Sequence, residues 1–334
     1  MSEPQNREKL LDIRGLEVHF ETRRGIARAV NDVDLILYRG ERFGLVGESG
    51  SGKTTMVLAL LRMIKTPGYI AGGQALMDDL DLLQLDPEQV RQMRLSRVAM
   101  VPQGAMNSLN PVVRIGKQMI LTMREHGVDG DKEALQKRVT ELLEIVGLKP
   151  EVAGLYPHEL SGGMKQRACI AIAVSLSPQL ILADEPTSAL DVVVQRQVMQ
   201  MLRDLQQRLD ATVLLVGHDM GLMAQFAERV GIMYGGKLVE VGTVADIFRN
   251  PVHPYTQLLI SSIPSFNTKG EFRGIPGIGL SLLNPPTGCL FHPRCPQATE
   301  ACARREPQLR EVEPGRHASC LLLDGKEEDH ASTA

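Results

Sequence analysis

The sequence predicts a layered α/β domain, and three observations carry that prediction. Short apolar runs at 43–46, 98–101, 180–183 and 212–216 have the length of strands, and stretches of helical composition or period at 54–63, 133–146 and 194–209 fall among them. Strands alternating with helices in this way indicate a parallel sheet covered by helices. Ahead of them apolar and polar residues alternate (Leu11, Ile13, Leu16, Val18, Phe20, then Val33, Leu35, Leu37), the pattern of half-buried antiparallel strands. Between residues 112 and 154 the texture turns helical. There Leu135, Val139, Leu142, Leu143 and Val146 fall at steps of 4, 3, 1 and 3 and line one helical face. Gly235-Gly236 marks a hairpin turn, and beyond Asn250 proline, glycine and cysteine dominate, which places a boundary near Phe248. Residues 325–334 read as a disordered tail.

At 334 residues the chain has room for one large domain with an appendage. Its 37 Lys and Arg nearly balance 40 Asp and Glu, a formal charge of −3 that argues against steering of the whole chain to nucleic acid or anionic lipid. No apolar run approaches the roughly 18–20 residues that span a bilayer. Residues 1–9 are polar and unlike a signal peptide, so a cytosolic chain is expected. Of five cysteines, Cys169 stands alone and the others fall within the last 46 residues. In a reducing compartment such a cluster favours metal over disulfides.

Gly47-Glu-Ser-Gly-Ser-Gly-Lys53-Thr54 fits the phosphate-loop pattern G-x-x-x-x-G-K-[ST], with a predicted strand before it and a helix after it. Its glycines let backbone N–H groups turn toward phosphate oxygens, aided by the positive end of the following helix. Gly47, Ser49, Gly50, Ser51, Gly52, Lys53, Thr54 and Thr55 are the expected nucleotide contacts, with Lys53 on the β and γ phosphates and Thr54 on Mg²⁺. Residues 180–185 form a second element: an apolar strand ending in Asp184 and Glu185, where open parallel sheets place ligands. Asp184 suits a metal ion, and Glu185 suits an attacking water.

With Pro186-Thr-Ser-Ala-Leu-Asp191 following the acidic pair and Leu-Ser-Gly-Gly-Met-Lys-Gln-Arg at 160–167 preceding it, the chain resembles the ATP-binding cassette (ABC) superfamily. That resemblance implies a P-loop NTPase fold: a RecA-like core, an antiparallel β subdomain and a helical subdomain at about 105–175, within a nucleotide-binding domain at 1–248. It also implies that Gln103 senses the metal and γ phosphate and links to a membrane subunit, that His218 is the switch histidine, and that Asp191 lies at a dimer interface. Phe20 is implied as an adenine-stacking residue, against the alternative of a core aromatic in an alternating strand. The segment at 160–167 is the family's signature, with Ser161, Gly162, Gly163 and Gln166 expected on the nucleotide of a partner. Physically, Ser161 is a good N-cap, glycines permit close approach, and the helix behind them presents a positive end to an anion. One nucleotide already has the loop at 47–54, so a second anion site makes sense if two subunits pair head to tail. A capped helix start with a flexible turn would explain Ser161 but not both glycines.

Asn250-Pro-Val-His-Pro-Tyr-Thr256 and Leu283-Asn-Pro-Pro-Thr-Gly-Cys-Leu-Phe-His-Pro-Arg-Cys295, with Met106-Asn-Ser-Leu-Asn-Pro111, are similar to the dipeptide and oligopeptide permease subgroup. Residues 249–324 are then a small Cys-containing C-terminal extension. His253-Pro-Tyr is read as a helix-start turn without chemistry. Cys289, Cys295, Cys302 and Cys320 are spaced C-x5-C-x6-C-x17-C, without the C-x2-C knuckles usual for zinc. Spacing tilts toward a 4Fe-4S cluster, with zinc and free or disulfide-linked cysteines left open, and a structural role for any metal.

The subgroup resemblance implies an ATPase that uses ATP and Mg²⁺, pairs with a second ATPase subunit as a homodimer or heterodimer, and powers import through two transmembrane permease subunits and an extracytoplasmic substrate-binding protein. It implies a peripheral position on the cytoplasmic face of the inner membrane. Peptides are the default cargo, with nickel or oligosaccharide import as the alternative. A soluble cassette protein of DNA repair or translation is disfavoured, since the chain has one cassette, no long coiled-coil insertion and near-neutral charge. A non-hydrolysing subunit is disfavoured by the presence of Lys53, Ser161, Glu185 and His218 together.

Overall fold

The computed structural model describes residues 7–104, 108–188, 190–263 and 274–324. In chain order these form β1 (Lys9–Thr22), β2 (Gly25–Tyr38), β3 (Arg42–Val46), α1 (Lys53–Leu60), β4 (Gly68–Met77), β5 (Leu80–Asp81), α2 (Pro87–Ser96) and β6 (Val98–Val101). There follow α3 (Ile115–Glu125), α4 (Lys132–Ile145), α5 (Gly162–Ala173), β7 (Leu180–Asp184), α6 (Val192–Leu209), β8 (Thr212–Gly217) and α7 (Met220–Phe226). The chain continues with β9 (Arg229–Tyr234), β10 (Lys237–Thr243), α8 (Val244–Arg249), α9 (Pro254–Ser261), α10 (Glu300–Arg304), β11 (Arg310–Glu313) and β12 (Arg316–Ala318). The tail from Gly325, Met106 and Asn107, and Ala189 of the loop before Asp191 lie outside the described residues. No described helix is long and apolar enough to cross a membrane.

Two compact units result. The first comprises Met1–Ile36, Phe43–Leu80 and Gly217–Ala334. In it β1 pairs antiparallel with β4, from Leu11 opposite Met77 to Phe20 opposite Gly68. The apolar alternation of β1 changes parity between Ile13 and Leu16, and the register shifts there, between Arg14 and Val18. The irregularity re-phases the strand, so that Leu11, Ile13, Leu16 and Val18 are all buried. Gly15 and Gly73 make it possible: Gly73 has φ +95° and a Cβ there would lie 2.5 Å from the Gly15 carbonyl oxygen. In the same unit β3 runs parallel to β9, with Phe43 opposite Arg229, and the Gly235-Gly236 turn returns the chain as β10.

The C-terminal extension joins this unit through the sheet, since β12 pairs antiparallel with β10 and β11 with β12. A buried ion pair fastens the joint: Arg316 donates to Glu240 at 2.9 Å, the two side chains being 2% and 0% exposed. The Glu240 carboxylate also accepts the backbone N–H groups of Val252 and His253, each at 3.0 Å, so its charge is fully satisfied. Tyr234 of β9 packs tilted against Tyr255 of α9 and edge-on against Phe291 of the extension, at ring separations of 4.7 and 5.2 Å.

The second unit comprises Leu37–Arg42 and Asp81–Val216. Strands β6, β7 and β8 are parallel, with Val98 opposite Leu180 and Leu180 opposite Thr212. Every residue of β7 and β8 within the unit is buried, as strands covered on both faces must be, which is why they read as continuous apolar runs. The helical insertion is α3 and α4 with the start of α5. Helix α4 buries Leu135, Val139, Leu142 and Leu143, the face that the spacing predicts, and Asp131 caps its start by accepting the Ala134 N–H at 2.7 Å.

Candidate nucleotide site

The loop between β3 and α1 takes the form its glycines allow. Gly47 is required by close approach, because a Cβ there would sit 2.1 Å from the Met233 carbonyl oxygen. Gly52 caps α1 at φ +103°, and a Cβ would meet the Ala29 carbonyl oxygen at 2.2 Å. Lys53 is 6% exposed, and its ammonium donates to the carbonyl oxygens of Gly47 and Glu48 at 2.8 and 2.9 Å and to Ser51 Oγ at 3.3 Å. Its charge is thus held inside the curve of the loop. Ser49, Gly50 and Thr54 are exposed, while Ser51 is buried and Thr55 half-buried.

Residues that the sequence reading left without a role grip this loop from outside. The backbone N–H of Glu48 donates to the Tyr255 hydroxyl at 3.0 Å. The Glu48 carboxylate takes a bidentate pair from Arg294, with Nη1 at 2.7 Å and Nη2 at 2.9 Å. His253 caps α9 as a helix-start turn, its Nδ1 accepting the Tyr255 N–H at 3.0 Å. Burial pushes its pKa down to about 4, so it stays a neutral acceptor. One signal for Arg294 was present in the sequence: it is the only charged residue between Arg273 and Glu300.

In the second unit, Gln103 beyond β6 and Glu185 beyond β7 meet: Gln103 Nε2 donates to Glu185 Oε2 at 2.8 Å. Adjacent parallel strands place their C-terminal ends side by side, which brings together residues 82 apart in sequence. Asp184 is 1% exposed, and Glu185 stands at φ +44°, a left-handed conformation that costs a non-glycine residue about 1–2 kcal/mol. Its backbone N–H donates to the Val216 carbonyl at 2.9 Å, holding it there. Asp191 is exposed and caps α6, accepting N–H bonds from Val193 and Val194 at 3.1 and 3.0 Å.

The signature segment opens α5. Ser161 is exposed and accepts the Met164 N–H at 3.3 Å, as an N-cap should. Gly163 has an internal reason to be glycine: a Cβ would lie 2.8 Å from Val194 Cγ1 at the start of α6. Gln166 is 4% exposed, with its amide nitrogen buried.

Phe20 lies half-buried near the end of β1, packed over Gly68, where a Cβ would come within 2.5 Å of its ring. His218 is exposed, just beyond β8.

Thr54 in the first unit and Asp184 and Gln103 in the second each carry an oxygen of the kind that Mg²⁺ takes. The cysteines give a different result. All four are free thiols; Cys320 is pushed up to about 11 by burial, with a further upward push from Cys289, Cys295 and Cys302, which places the four in one neighbourhood. Yet among the described residues no group of three or more His, Cys, Asp or Glu side chains stands together to hold a metal. Cys302 is buried on α10 with its sulfur 3.3 Å from Thr299 Oγ1, and Cys320 is buried after β12. The donor chemistry fits a cluster, but the arrangement as it stands does not support the expected 4Fe-4S centre.

Comparison with known proteins agrees with the nucleotide elements. A family described as ABC transporter matches residues 30–188, and the oligopeptide/dipeptide transporter C-terminal region matches residues 239–302. The dipeptide transport ATP-binding protein DppD of Haemophilus influenzae is 43% identical over 306 residues, covering 91% of this chain and 92% of its own. The oligopeptide transport ATP-binding protein OppD of Bacillus subtilis is 39% identical, covering 94% and 89%. Among solved structures, a dimeric ATP-binding cassette, MJ0796, in a post-hydrolysis state bound to ADP and Pi is similar with a TM-score of 0.63 and 28% identity, over 70% of this chain and 98% of that one. A phosphate loop, a signature helix and an acidic strand end in one chain, matched over nine-tenths of its length, show that it belongs to the ABC transporter ATPases, in the dipeptide and oligopeptide permease branch.

Proposed function

We propose that this chain hydrolyses ATP to drive uptake of dipeptides or oligopeptides through separate membrane subunits. The observation that carries the reading is the loop at 47–54: a lysine ammonium buried against its own loop carbonyls, ready to exchange them for phosphate oxygens. In this reading backbone N–H groups of residues 49–55 and the Lys53 ammonium bind the phosphates, and Thr54, Asp184 and Gln103 hold Mg²⁺, which supplies charge neutralisation on the phosphate oxygens. Glu185 orients and polarises a water for in-line attack on the γ phosphate, yielding ADP and phosphate. Gln103, bonded to Glu185 in the structure, reports the state of that site, and His218 completes it. Phe20 stacks on adenine. Ser161, Gly162, Gly163 and Gln166 close over the nucleotide of a second ATPase subunit, and Asp191 lies at that interface.

The partners in this reading are a second cassette chain, two transmembrane permeases and an extracytoplasmic binding protein, with the ATPase on the cytoplasmic face of the inner membrane. Support comes from the relatives, named as peptide, dipeptide and oligopeptide transport proteins. The iron-sulfur cluster is a finer part of the same reading. It rests only on the presence of four cysteines in one short extension, and iron and sulfide assay of anaerobically purified protein decides it; stoichiometric zinc or no metal removes it.

The reading is tested with Glu185→Gln. ATP binding is retained and turnover falls by about 10²–10³, with a long-lived ATP-bound dimer, in a phosphate-release assay on the assembled complex. Hydrolysis at the wild-type rate would remove Glu185 from its role.

A further inference from the structure

Glu48, the second residue of the phosphate loop, is bound at four points. Its carbonyl oxygen accepts the Lys53 ammonium at 2.9 Å and the Ser51 N–H at 3.2 Å, so the residue helps set both the lysine and the curve of the loop. Its N–H and its carboxylate, in contrast, are committed to the extension, through Tyr255 at 3.0 Å and the Arg294 fork at 2.7 and 2.9 Å. Both partners are themselves fixed. Tyr255 is fully buried in the aromatic cluster, and the Arg294 side chain is 7% exposed, with Nε donating to the Pro276 carbonyl at 2.8 Å and Nη1 to the Tyr234 hydroxyl at 3.4 Å. Arginine thus ties the chain at Pro276 to the loop. Just beyond, residues 279–283 join residues 48–51, Tyr234 and Gly235 in lining a cleft of about 300 Å³. The extension therefore borders the phosphate loop as well as gripping it.

We infer that the C-terminal extension sets nucleotide affinity, with Arg294 and Tyr255 as positioning residues that hold Glu48 and, through its carbonyl, Lys53. The inference deepens the proposed function and rests on residues 47–54 being the phosphate loop. A bidentate arginine–carboxylate pair with its arginine buried is geometrically restrictive, and its loss frees the Glu48 peptide to rotate away from the lysine. The interaction acts before chemistry, so its removal appears in ATP affinity and leaves the hydrolytic step intact.

The test uses the full chain and the Mg²⁺ complex of a non-hydrolysable ATP analogue, with affinity measured by calorimetry. Arg294→Gln and Glu48→Gln each weaken binding about tenfold, the double variant is no weaker than either single one, and Arg294→Lys falls between. Tyr255→Phe, which keeps the packing and removes only the hydroxyl, weakens binding about threefold. In the complex purified from native membranes, KM for ATP rises by the same factors while kcat stays within about twofold. Unchanged affinity in Arg294→Gln and Tyr255→Phe, or effects of Arg294→Gln and Glu48→Gln that simply add, would overturn the inference. Lys53→Ala separates the two levels. If it binds the analogue as wild type does, the phosphate-loop assignment fails; if it loses binding while Arg294→Gln keeps it, only the role of the extension fails.

Discussion

The phosphate loop and the signature segment are built from the same parts, glycines at the start of a helix, yet the chain treats them in opposite ways. The loop is closed on itself: Lys53 is buried, its ammonium is satisfied by loop carbonyls, and Glu48 is clamped from the extension. The signature start is presented outward, with Ser161 exposed and making a cap bond of 3.3 Å to its own helix. A positive helix end can serve as a ligand site in either state. The difference accords with the proposal that the chain completes the first site with its own residues and offers the second to a partner.

The largest effect that can break this contrast is Lys53→Ala, which should weaken nucleotide binding by the isolated chain at least about 100-fold, since a charge-assisted contact to phosphate is lost from a buried position. Calorimetry on the monomer checks it, and the same experiment on Ser161→Ala should show unchanged affinity. If Ser161→Ala also abolished monomer binding, the signature would belong to the chain's own nucleotide.

Next comes acid, which tests how the loop's clamp is held. His253 must be neutral in the folded protein, with its pKa at about 4, whereas the unfolded chain protonates it near the ordinary histidine value of 6.5. The unfolded state therefore binds more protons between these values, so His253's contribution is complete above about pH 6.5 and lost as pH falls toward 4. Denaturant titrations at pH 7.5 and 4.5 should show a loss roughly 3 kcal/mol greater in wild type than in His253→Asn.

A smaller effect sharpens the account of the signature. Gly163→Ala forces a methyl to within 2.8 Å of Val194 Cγ1 and should destabilise by about 1–3 kcal/mol, with rescue by Val194→Ala in thermal unfolding. Absence of rescue would return Gly163 to a purely ligand-facing role. Smallest of all, Ser161→Ala removes one N-cap bond and should lower stability by only about 1 kcal/mol, while ATP turnover in the assembled complex falls much further.

What was legible in the sequence was what depends on neighbours along the chain. Gly47 to Thr54 carries its own backbone instructions, and the strands at 98–101 and 180–183 are local apolar runs. The meeting of Gln103 and Glu185 needed the structure, which makes these two strands parallel neighbours and brings their ends together. The bulge in β1 was legible too, as a change of parity between Ile13 and Leu16, once the strand was seen to keep one face buried.

The cysteines show the limit of such reading: spacing placed four thiols in one segment but did not determine whether they assemble as ligands. The sequence by itself determined the fold class, the phosphate loop and the family. Only the tertiary structure decided that Arg294, 246 residues away, grips Glu48, because a long-range ion pair has no local pattern and exists only where packing brings two charges into contact.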